Sequence, residues 1–237
     1  MNIWMRRALI GIIVLFAAWV SLITQGAYFG MRLVRWFYDA GASLYDRIKE
    51  YEPAEEAAFI GHPVAHHLPD GPETLVLDVA SGTGRLPLAL LARPEFTGRI
   101  VGIDISSNML AQARRKTAPY GDRVALINAP AVPLAFPDDT FDGVTSVEAM
   151  EYMPDPRAAI REMVRVLRPG GWLVITNRIG PTAPLMPGRV EPTDAVVAFL
   201  ASLGLTEIAL GQRKSYWGLE FYVLLFARKP DPSQVGP

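Results

Sequence analysis

The stretch that decides the fold runs from Val76 to Leu86 and reads VLDVASGTGRL. Its first half is a short apolar run with β-branched residues, which is typical of a strand buried in a sheet. Gly82 and Gly84 follow and lack a β-carbon, so the chain can turn sharply and its backbone can approach a ligand closely. Residues 86–92 then have the pattern of a helix, in which Pro87 is tolerated because it falls in the first turn. This segment therefore predicts a strand, a tight turn and a helix.

The same alternation of strand and helix continues along the chain. Further buried-strand patterns are RIVGIDI, RVALINA, FDGVTSV and WLVITNR, and helical patterns occupy residues 108–118, 156–167 and 194–204. GLTEIALGQ and GLEFYVLLFARK close the chain as two strands without a helix between them, so we expect them to pair as an antiparallel hairpin. The chain is therefore predicted to be an α/β protein, with a seven-stranded, mostly parallel sheet and helices on both faces.

Helix ends are also marked in the sequence. Ser106 or Ser107 is placed to cap the helix over residues 108–118, and Thr193 is placed to cap the last helix. Pro169, Gly170 and Gly171 predict a helix stop followed by a tight turn.

The N-terminal region is an uncharged apolar segment. Residues 8–29 would form a helix of roughly 33 Å, enough to cross a hydrocarbon core of about 30 Å. Arg6 and Arg7 precede this segment, and more basic residues follow it, so the positive-inside rule places the large domain in the cytoplasm. We therefore predict a single-pass membrane protein held in the membrane through residues 8–29. A cleaved signal peptide and a helix buried in the globular domain are the alternatives.

These patterns divide the chain into four parts. Residues 1–31 are the predicted transmembrane anchor, and residues 32–73 a helical cap, broken near Gly41, with a linker. Residues 74–230 are the sheet domain, and residues 231–237 a disordered tail. Because residues 61–73 (GHPVAHHLPDGPE) are rich in proline and glycine, we expect a loop there and no metal site at its three histidines.

Composition narrows the possible functions. The chain has no cysteine, which excludes disulfides, thiolate metal sites and a cysteine nucleophile. Its formal net charge is −1, so no overall basic field attracts nucleic acid, and no nucleic-acid partner is expected.

Two acidic residues indicate the cofactor. Asp104 ends the second strand about 20 residues beyond the glycine turn, where a carboxylate can accept hydrogen bonds from both ribose hydroxyls. A nicotinamide dinucleotide would also fit, but its fingerprint requires a third glycine where this chain has Pro87. Asp78, just before the turn, would repel a pyrophosphate yet could hold an ammonium group. S-adenosylmethionine has an ammonium and no phosphate, so these residues favour it.

Four blocks in order resemble the class I S-adenosylmethionine-dependent methyltransferases, particularly the small-molecule branch of the ubiquinone and menaquinone methyltransferases. They are LDVASGTGRL, IVGIDIS with NML, PDDTFDGV and EYMPDPRAAIREMVRVLRPGGWLVI. The resemblance covers about residues 38–178 and implies a Rossmann-like fold. Tyr38-Asp39 and Tyr45-Asp46 also resemble the tyrosine-bearing helices that fold over the cofactor in that family.

The resemblance also implies roles for individual residues. The methionine end of the cofactor would be lined by Asp78, Ala80, Ser81, Gly82 and Gly84. Asp104 would bind the ribose, Ile105 and Met109 would contact the adenine, and Tyr45 would cover the cofactor.

One position departs from the family pattern. The family usually has an acidic residue after the third strand that accepts from the adenine amino group, and this chain has Pro130 there. Asn128 or the backbone at Ala131 would have to replace it.

The sequence does not identify a catalytic residue. Glu148 and Glu151, after the fourth strand, are the candidates for a general base, although binding the cofactor or facing solvent explains them equally well. The proline-rich loop over residues 179–192, with Arg178 and Arg189, is a candidate lid.

We therefore predict an S-adenosylmethionine-dependent methyltransferase acting on a small, membrane-associated substrate that resembles a quinone or a lipid. A non-catalytic module that binds S-adenosylmethionine or S-adenosylhomocysteine is the main alternative. A nicotinamide-dependent oxidoreductase is a third and weaker hypothesis.

Overall fold

The computed structural model describes residues 3–216 and 219–234. Its centre is a seven-stranded sheet with the strand order β3-β2-β1-β4-β5-β7-β6. The first five strands are parallel, and β7 runs antiparallel to both β5 and β6, which confirms the predicted sheet and its C-terminal hairpin. The strands are β1 (Leu75–Val79), β2 (Arg99–Asp104), β3 (Val124–Asn128), β4 (Phe141–Ser146), β5 (Leu167–Arg178), β6 (Thr206–Tyr216) and β7 (Leu219–Arg228).

Helices precede the sheet and cover both of its faces. They are α1 (Ile3–Ala18), α2 (Met31–Gly41), α3 (Tyr45–Ile48), α4 (Pro53–Glu56), α5 (His62–His67), α6 (Arg85–Leu91), α7 (Ser107–Thr117), α8 (Pro156–Val166) and α9 (Thr193–Ser202). A π-helical segment, Trp19–Thr24, continues α1, and another, Ala57–Gly61, joins α4 to α5. The strand order reverses between β1 and β4, which opens a crevice at the carboxyl ends of the central strands.

Each face of the sheet has its own apolar core. On one face, Met163 and Leu200 from α8 and α9 pack with Leu173. On the other face, Ile60 and Leu90 pack with further apolar residues of the central strands. Burial on both faces explains why the central strands are continuous apolar runs instead of alternating patterns.

Of the three helix ends and turns predicted from the sequence, the structure confirms one and differs at the other two. Ser106 caps α7 as predicted, because its hydroxyl accepts from the Met109 amide at 3.1 Å. The prediction for Thr193 is wrong: it is the first residue of α9, and its hydroxyl accepts from the Asn177 side chain at 3.0 Å. The predicted tight turn at 169–171 is the irregular start of β5, since the Gly170 amide donates to the Lys229 carbonyl at 2.8 Å.

Residues 61–73 were predicted to be a loop, and this is wrong for His62–His67, which form α5. Pro63 is the second residue of α5 and directly follows the π-helical segment Ala57–Gly61, so it lies at a junction where the helical hydrogen-bond pattern changes. Val64 is buried, and the His67 ring stacks on Phe226 at a centroid distance of 4.5 Å. Long-range packing of these side chains therefore stabilises a helix that the local composition disfavours.

The N-terminal apolar segment is one helix from Ile3 to Thr24, long and apolar enough to cross a membrane. It ends earlier than predicted because Gln25 and Gly26 are left-handed, after which Ala27–Phe29 form a 3₁₀ turn. No residue of Ile3–Ala18 is buried, which excludes the alternative of a helix inside the globular core. At the other end of the chain, Pro232–Gln234 form a 3₁₀ turn, and the rest of the predicted tail lies outside the described residues.

Candidate functional site

A cavity of about 330 Å³ lies at the carboxyl ends of β1, β2 and β4, where the strand order reverses. Helices α2 and α3 cover it, and the loop after β3 forms another wall. Eight of the predicted site residues line this cavity: Tyr45, Ala80, Gly82, Asp104, Ile105, Met109, Ala131 and Glu148. The structure therefore brings together residues from five separate parts of the sequence.

The turn after β1 has an unusual backbone. Ala80 has φ +59° and Gly82 has φ +55°, both in the left-handed region that glycine adopts most easily. Ala80 therefore has a strained backbone, because a residue with a β-carbon rarely adopts this conformation. Gly84 does not line the cavity, contrary to the role implied for it. A β-carbon at Gly84 would approach the Ala113 β-carbon to 3.2 Å, so this glycine allows α7 to pack closely against the turn.

Asp104 is the carboxylate at the rim of the glycine turn. One of its oxygens accepts from the Gly82 amide and the other from the Ser106 amide, both at 2.8 Å. Burial raises the pKa of Asp104, and these two amide hydrogen bonds act in the opposite direction. Each oxygen keeps lone pairs that can accept from further donors. The arrangement therefore suits a pair of neighbouring hydroxyl groups such as those of a ribose.

A smaller cavity of about 30 Å³ adjoins the first and shares Tyr45, Ala80 and Gly82 with it. Its lining also includes Asp78 and Ser81, two of the predicted site residues, and Arg85. Burial raises the pKa of Asp78 to about 7, although the Thr145 hydroxyl donates to it at 2.8 Å.

Arg85 was not identified from the sequence. Its Nη2 is buried and has no hydrogen-bond partner among the described residues, whereas its other nitrogens donate to Glu56 and Glu148. Asp78 and Arg85 thus line the same small cavity. Such a pair is complementary to the ammonium and carboxylate of an α-amino acid. The feature of the sequence that could have identified Arg85 is its position as a charged residue directly after the glycine turn.

The cap over the main cavity is attached through two Tyr-Asp pairs. Asp39 accepts from the Ser106 hydroxyl at 2.6 Å, and Asp46 accepts from the Thr83 hydroxyl at 2.5 Å. The preceding Tyr38 and Tyr45 line the cavity, with ring centroids 5.9 Å apart. Burial raises the pKa of both tyrosines, so each presents a neutral hydroxyl. Each pair therefore anchors its helix with the acid and covers the cavity with the ring.

Glu148, the first candidate base, is buried within a cluster of ionic and polar contacts. It accepts from Arg85 at 2.6 Å, from Lys49 at 3.3 Å and from the Tyr216 hydroxyl at 2.8 Å. Burial by itself would raise the pKa of Glu148, but the charges of Arg85 and Lys49 hold it below its ordinary value. A carboxylate that is engaged and stabilised in this way is poorly suited to accept a proton.

Glu151, the second candidate, does not line the cavity. It accepts from the Tyr222 hydroxyl at 2.7 Å and from Arg178 at 3.3 Å, both buried. The sequence did not draw attention to Asp155, which lies at the rim of the cavity and caps α8 through the Ala158 amide at 2.9 Å. The assignment of a general base to Glu148 or Glu151 therefore stays a prediction.

The wall where the resemblance places the adenine consists of residues 129–132. Pro130 lies in it and offers no side-chain acceptor. The Asn128 side chain donates to the Asp104 carbonyl at 2.8 Å and does not line the cavity. Of the two expected substitutes for an acid, the backbone at Ala131 is therefore the one beside the cavity.

The candidate lid over residues 179–192 is attached to the end of the N-terminal helix. The Trp19 indole donates to the Leu185 carbonyl at 2.9 Å, and the Tyr28 hydroxyl donates to the Pro187 carbonyl at 2.7 Å. Arg189 donates to the Ala27 carbonyl at 2.7 Å and to the Met153 carbonyl. The loop and the segment after the helix thus form one connected unit next to the cavity.

Comparison with known proteins agrees with this geometry. Residues 77–175 match the family described as methyltransferase domain. A demethylmenaquinone methyltransferase of Staphylococcus aureus strain JH9 is 41% identical over 112 residues, which is 47% of this chain and 46% of that protein. The chain thus spans about half the length of the curated relatives it matches.

Two solved structures have similar folds. Phosphoethanolamine N-methyltransferase 2 of Haemonchus contortus, in complex with phosphomonomethylethanolamine and S-adenosylhomocysteine, has a TM-score of 0.66 at 17% identity. That match covers 82% of this chain and 58% of the other. The [4+2]-cyclase SpnF has a TM-score of 0.57 at 23% identity, covering 72% of this chain and 80% of the other.

Proposed function

The chain belongs to the class I S-adenosylmethionine-dependent methyltransferases, and on that premise we propose that it methylates a small apolar acceptor at a membrane. The observation that carries the proposal is the carboxylate of Asp104, held by the Gly82 and Ser106 amides at the edge of a largely apolar cavity. A carboxylate in that position can accept hydrogen bonds from the two hydroxyls of a ribose.

The remaining contacts of the cofactor follow from this position. Asp104 would hold the ribose hydroxyls, and the adenine would lie against Ile105 and Met109. Asp78 and Arg85 at the small cavity would hold the ammonium and the carboxylate of the methionine portion.

The cofactor supplies a methyl group activated on a sulfonium, which an acceptor atom displaces in line. The protein contributes proximity, orientation and a site that excludes water. Tyr38 and Tyr45 cover the site as neutral rings, and the cavity is further lined by Met31, Val34 and Met153. This apolar lining suits a hydrophobic acceptor better than a charged one.

The nature of the acceptor is proposed from two features. The S. aureus relative is named for a quinone methylation, and the N-terminal helix is long and apolar enough to span a bilayer. Both support a quinone-like or lipid-like acceptor, reached by a cytoplasmic domain with a single-pass anchor.

The test begins with calorimetry on the full chain in detergent micelles, titrated with S-adenosylhomocysteine and, separately, with NADH. We expect binding of S-adenosylhomocysteine and none of NADH, and the reverse result would refute the proposal.

The second step measures catalysis. Tritium from methyl-labelled cofactor should appear in the lipid extract of membranes incubated with the protein. Binding without transfer to any extract would favour a non-catalytic module, or a different reaction on this fold such as the one named for the cyclase neighbour.

A further inference from the structure

The N-terminal helix is long and apolar enough to cross a membrane, but its last part lies against the globular part of the protein. The side chains of residues 3–17 are exposed, and from Ala18 onward the helix is partly buried against the rest of the chain. The free portion is therefore about 15 residues, or roughly 22 Å, whereas the hydrocarbon core is about 30 Å thick. A bilayer that covers the whole apolar length of the helix would therefore also reach the surface around the base of the helix.

Aromatic contacts fix where that surface begins. The chain folds back after Gly26, so that Phe29 packs on Phe16 at 6.1 Å and Tyr28 stacks on Trp19 at 5.2 Å. Residues 27–29 thus lie beside the last turns of the helix. Tryptophan and tyrosine prefer the headgroup level of a bilayer, so this group of rings marks the boundary of the membrane.

The surface that follows has the composition of an interfacial helix. We define the cap face as Arg32, Trp36, Leu44, Arg47 and Ile48, which are exposed residues of α2, of α3 and of the residue preceding α3 and do not line the cavity. Its three apolar side chains are half or more exposed: Trp36 by 59%, Leu44 by 50% and Ile48 by 61%. Arg32 and Arg47 form no ion pair within residues 3–216 and 219–234. Large apolar groups interleaved with unpaired arginines are typical of a face that lies on a membrane.

We propose that the cap face rests on an anionic lipid surface. Trp36, Leu44 and Ile48 would enter the boundary between headgroups and acyl chains, and Arg32 and Arg47 would bind lipid phosphates. A bilayer is favoured over a protein partner because the face follows directly on the apolar helix and carries the charge opposite to that of anionic headgroups. The proposal rests on the membrane assignment made under the proposed function, but it is independent of methyl transfer.

The absence of cysteine allows a direct test, because a single introduced cysteine can be spin-labelled selectively. Ala40→Cys and Ser43→Cys place labels on exposed positions beside the cap face without removing its members. Val14→Cys reports on the free helix, and Ala201→Cys on α9 is a control on another exposed surface. The full chain is reconstituted in nanodiscs of equimolar phosphatidylcholine and phosphatidylglycerol, and the accessibility of each label to oxygen and to a nickel chelate is measured.

We expect oxygen to dominate at positions 14, 40 and 43, and the nickel chelate to dominate at position 201. If the labels at 40 and 43 are more accessible to the nickel chelate while the label at 14 is more accessible to oxygen, the cap-face proposal is wrong and the anchor is retained. If the label at 14 is also more accessible to the nickel chelate, both the cap-face proposal and the membrane anchor are wrong.

The role of the arginines is tested with a matched pair of variants, each read with the label at position 43. Arg32→Gln should lower the ratio of docked to undocked label about fivefold, the effect expected of about 1 kcal/mol per basic residue at an anionic surface. Arg115→Gln, an exposed arginine on α7, should leave this ratio unchanged. In nanodiscs of phosphatidylcholine alone, neither variant should differ in this ratio from the protein that retains both arginines. Equal effects of the two substitutions in anionic discs would refute the assignment to headgroups.

Discussion

Replacement of Asp78 by asparagine should change how the stability of the protein depends on pH. Asp78 is only 2% exposed, and burial raises its pKa to about 7. In the unfolded chain an aspartate has a pKa near 3.9. Between about pH 4 and pH 7 the folded protein therefore retains a proton that the unfolded chain has released. The contribution of Asp78 to the free energy of unfolding of the wild type therefore falls as the pH rises through this window.

The size of the effect follows from the same two values. A tenfold change in proton affinity corresponds to about 1.4 kcal/mol, so a pKa of about 7 against 3.9 amounts to about 4 kcal/mol. Asp78→Asn has no proton to lose, and its amide oxygen can still accept from the Thr145 hydroxyl. The variant should therefore gain up to about 4 kcal/mol relative to the wild type between pH 4 and pH 7.5.

The measurement is urea unfolding of the full chain in micelles at several pH values, followed by circular dichroism. Asp122→Asn, an exposed substitution, is the control and should retain the pH dependence of the wild type. A constant difference between Asp78→Asn and the wild type across the range would refute the reasoning, whatever the sign of that difference.

A second experiment tests whether Asp78 lies beside the bound cofactor. If the ammonium of S-adenosylhomocysteine binds beside Asp78, it will lower the pKa of the carboxyl, and binding near pH 6 will release a proton. Calorimetry in two buffers of different ionisation enthalpy measures that proton. Release that persists in Asp78→Asn would assign the proton to another group.

Three further predictions concern the turn and the residues around it. Asp104→Asn should weaken binding of S-adenosylhomocysteine about a hundredfold, or about 3 kcal/mol, because two hydrogen bonds to a charged acceptor are impaired; unchanged affinity in calorimetry would contradict the ribose assignment. Ala80→Gly should raise the free energy of unfolding by about 1 kcal/mol, since glycine relieves the strain of the left-handed backbone. A loss of stability in urea unfolding would show that the methyl group of Ala80 contributes more to stability than this strain costs. Glu148→Gln should lower the free energy of unfolding by about 3 kcal/mol, since it removes the buried negative charge that pairs with Lys49 and leaves Arg85 with Glu56 alone. A fully stable Glu148→Gln that binds cofactor but transfers no methyl group would instead restore its role as a base.

The central sheet could be predicted because its signals are local. Apolar runs with β-branched residues, separated by glycine turns and amphipathic helices, locate the strands of the parallel part to within a residue or two. Only β5 begins markedly earlier than predicted, because Gly170 pairs with Lys229, 59 residues further along the chain.

The cavity could be predicted in part. Tyr45, Gly82 and Asp104 belong to motifs with recognisable spacing, and all three line it. Arg85 was missed because the property that makes it notable, a buried nitrogen without a partner, depends on Glu56 and Glu148 occupying its other nitrogens. Burial and partner choice are properties of the folded chain, so no local pattern predicts them.

The amino-acid sequence by itself determined the α/β sheet, the glycine turn with the acid at the end of the next strand, and the apolar N-terminal helix. Each of these depends on backbone preferences and hydrophobic periodicity within a short window. Only the tertiary structure decided that His62–His67 form a helix, that the carboxylate of Glu148 is engaged by cations, and that the N-terminal helix packs against the body from Ala18 onward. These outcomes depend on contacts between residues far apart in the chain, whose energies exceed the local preferences.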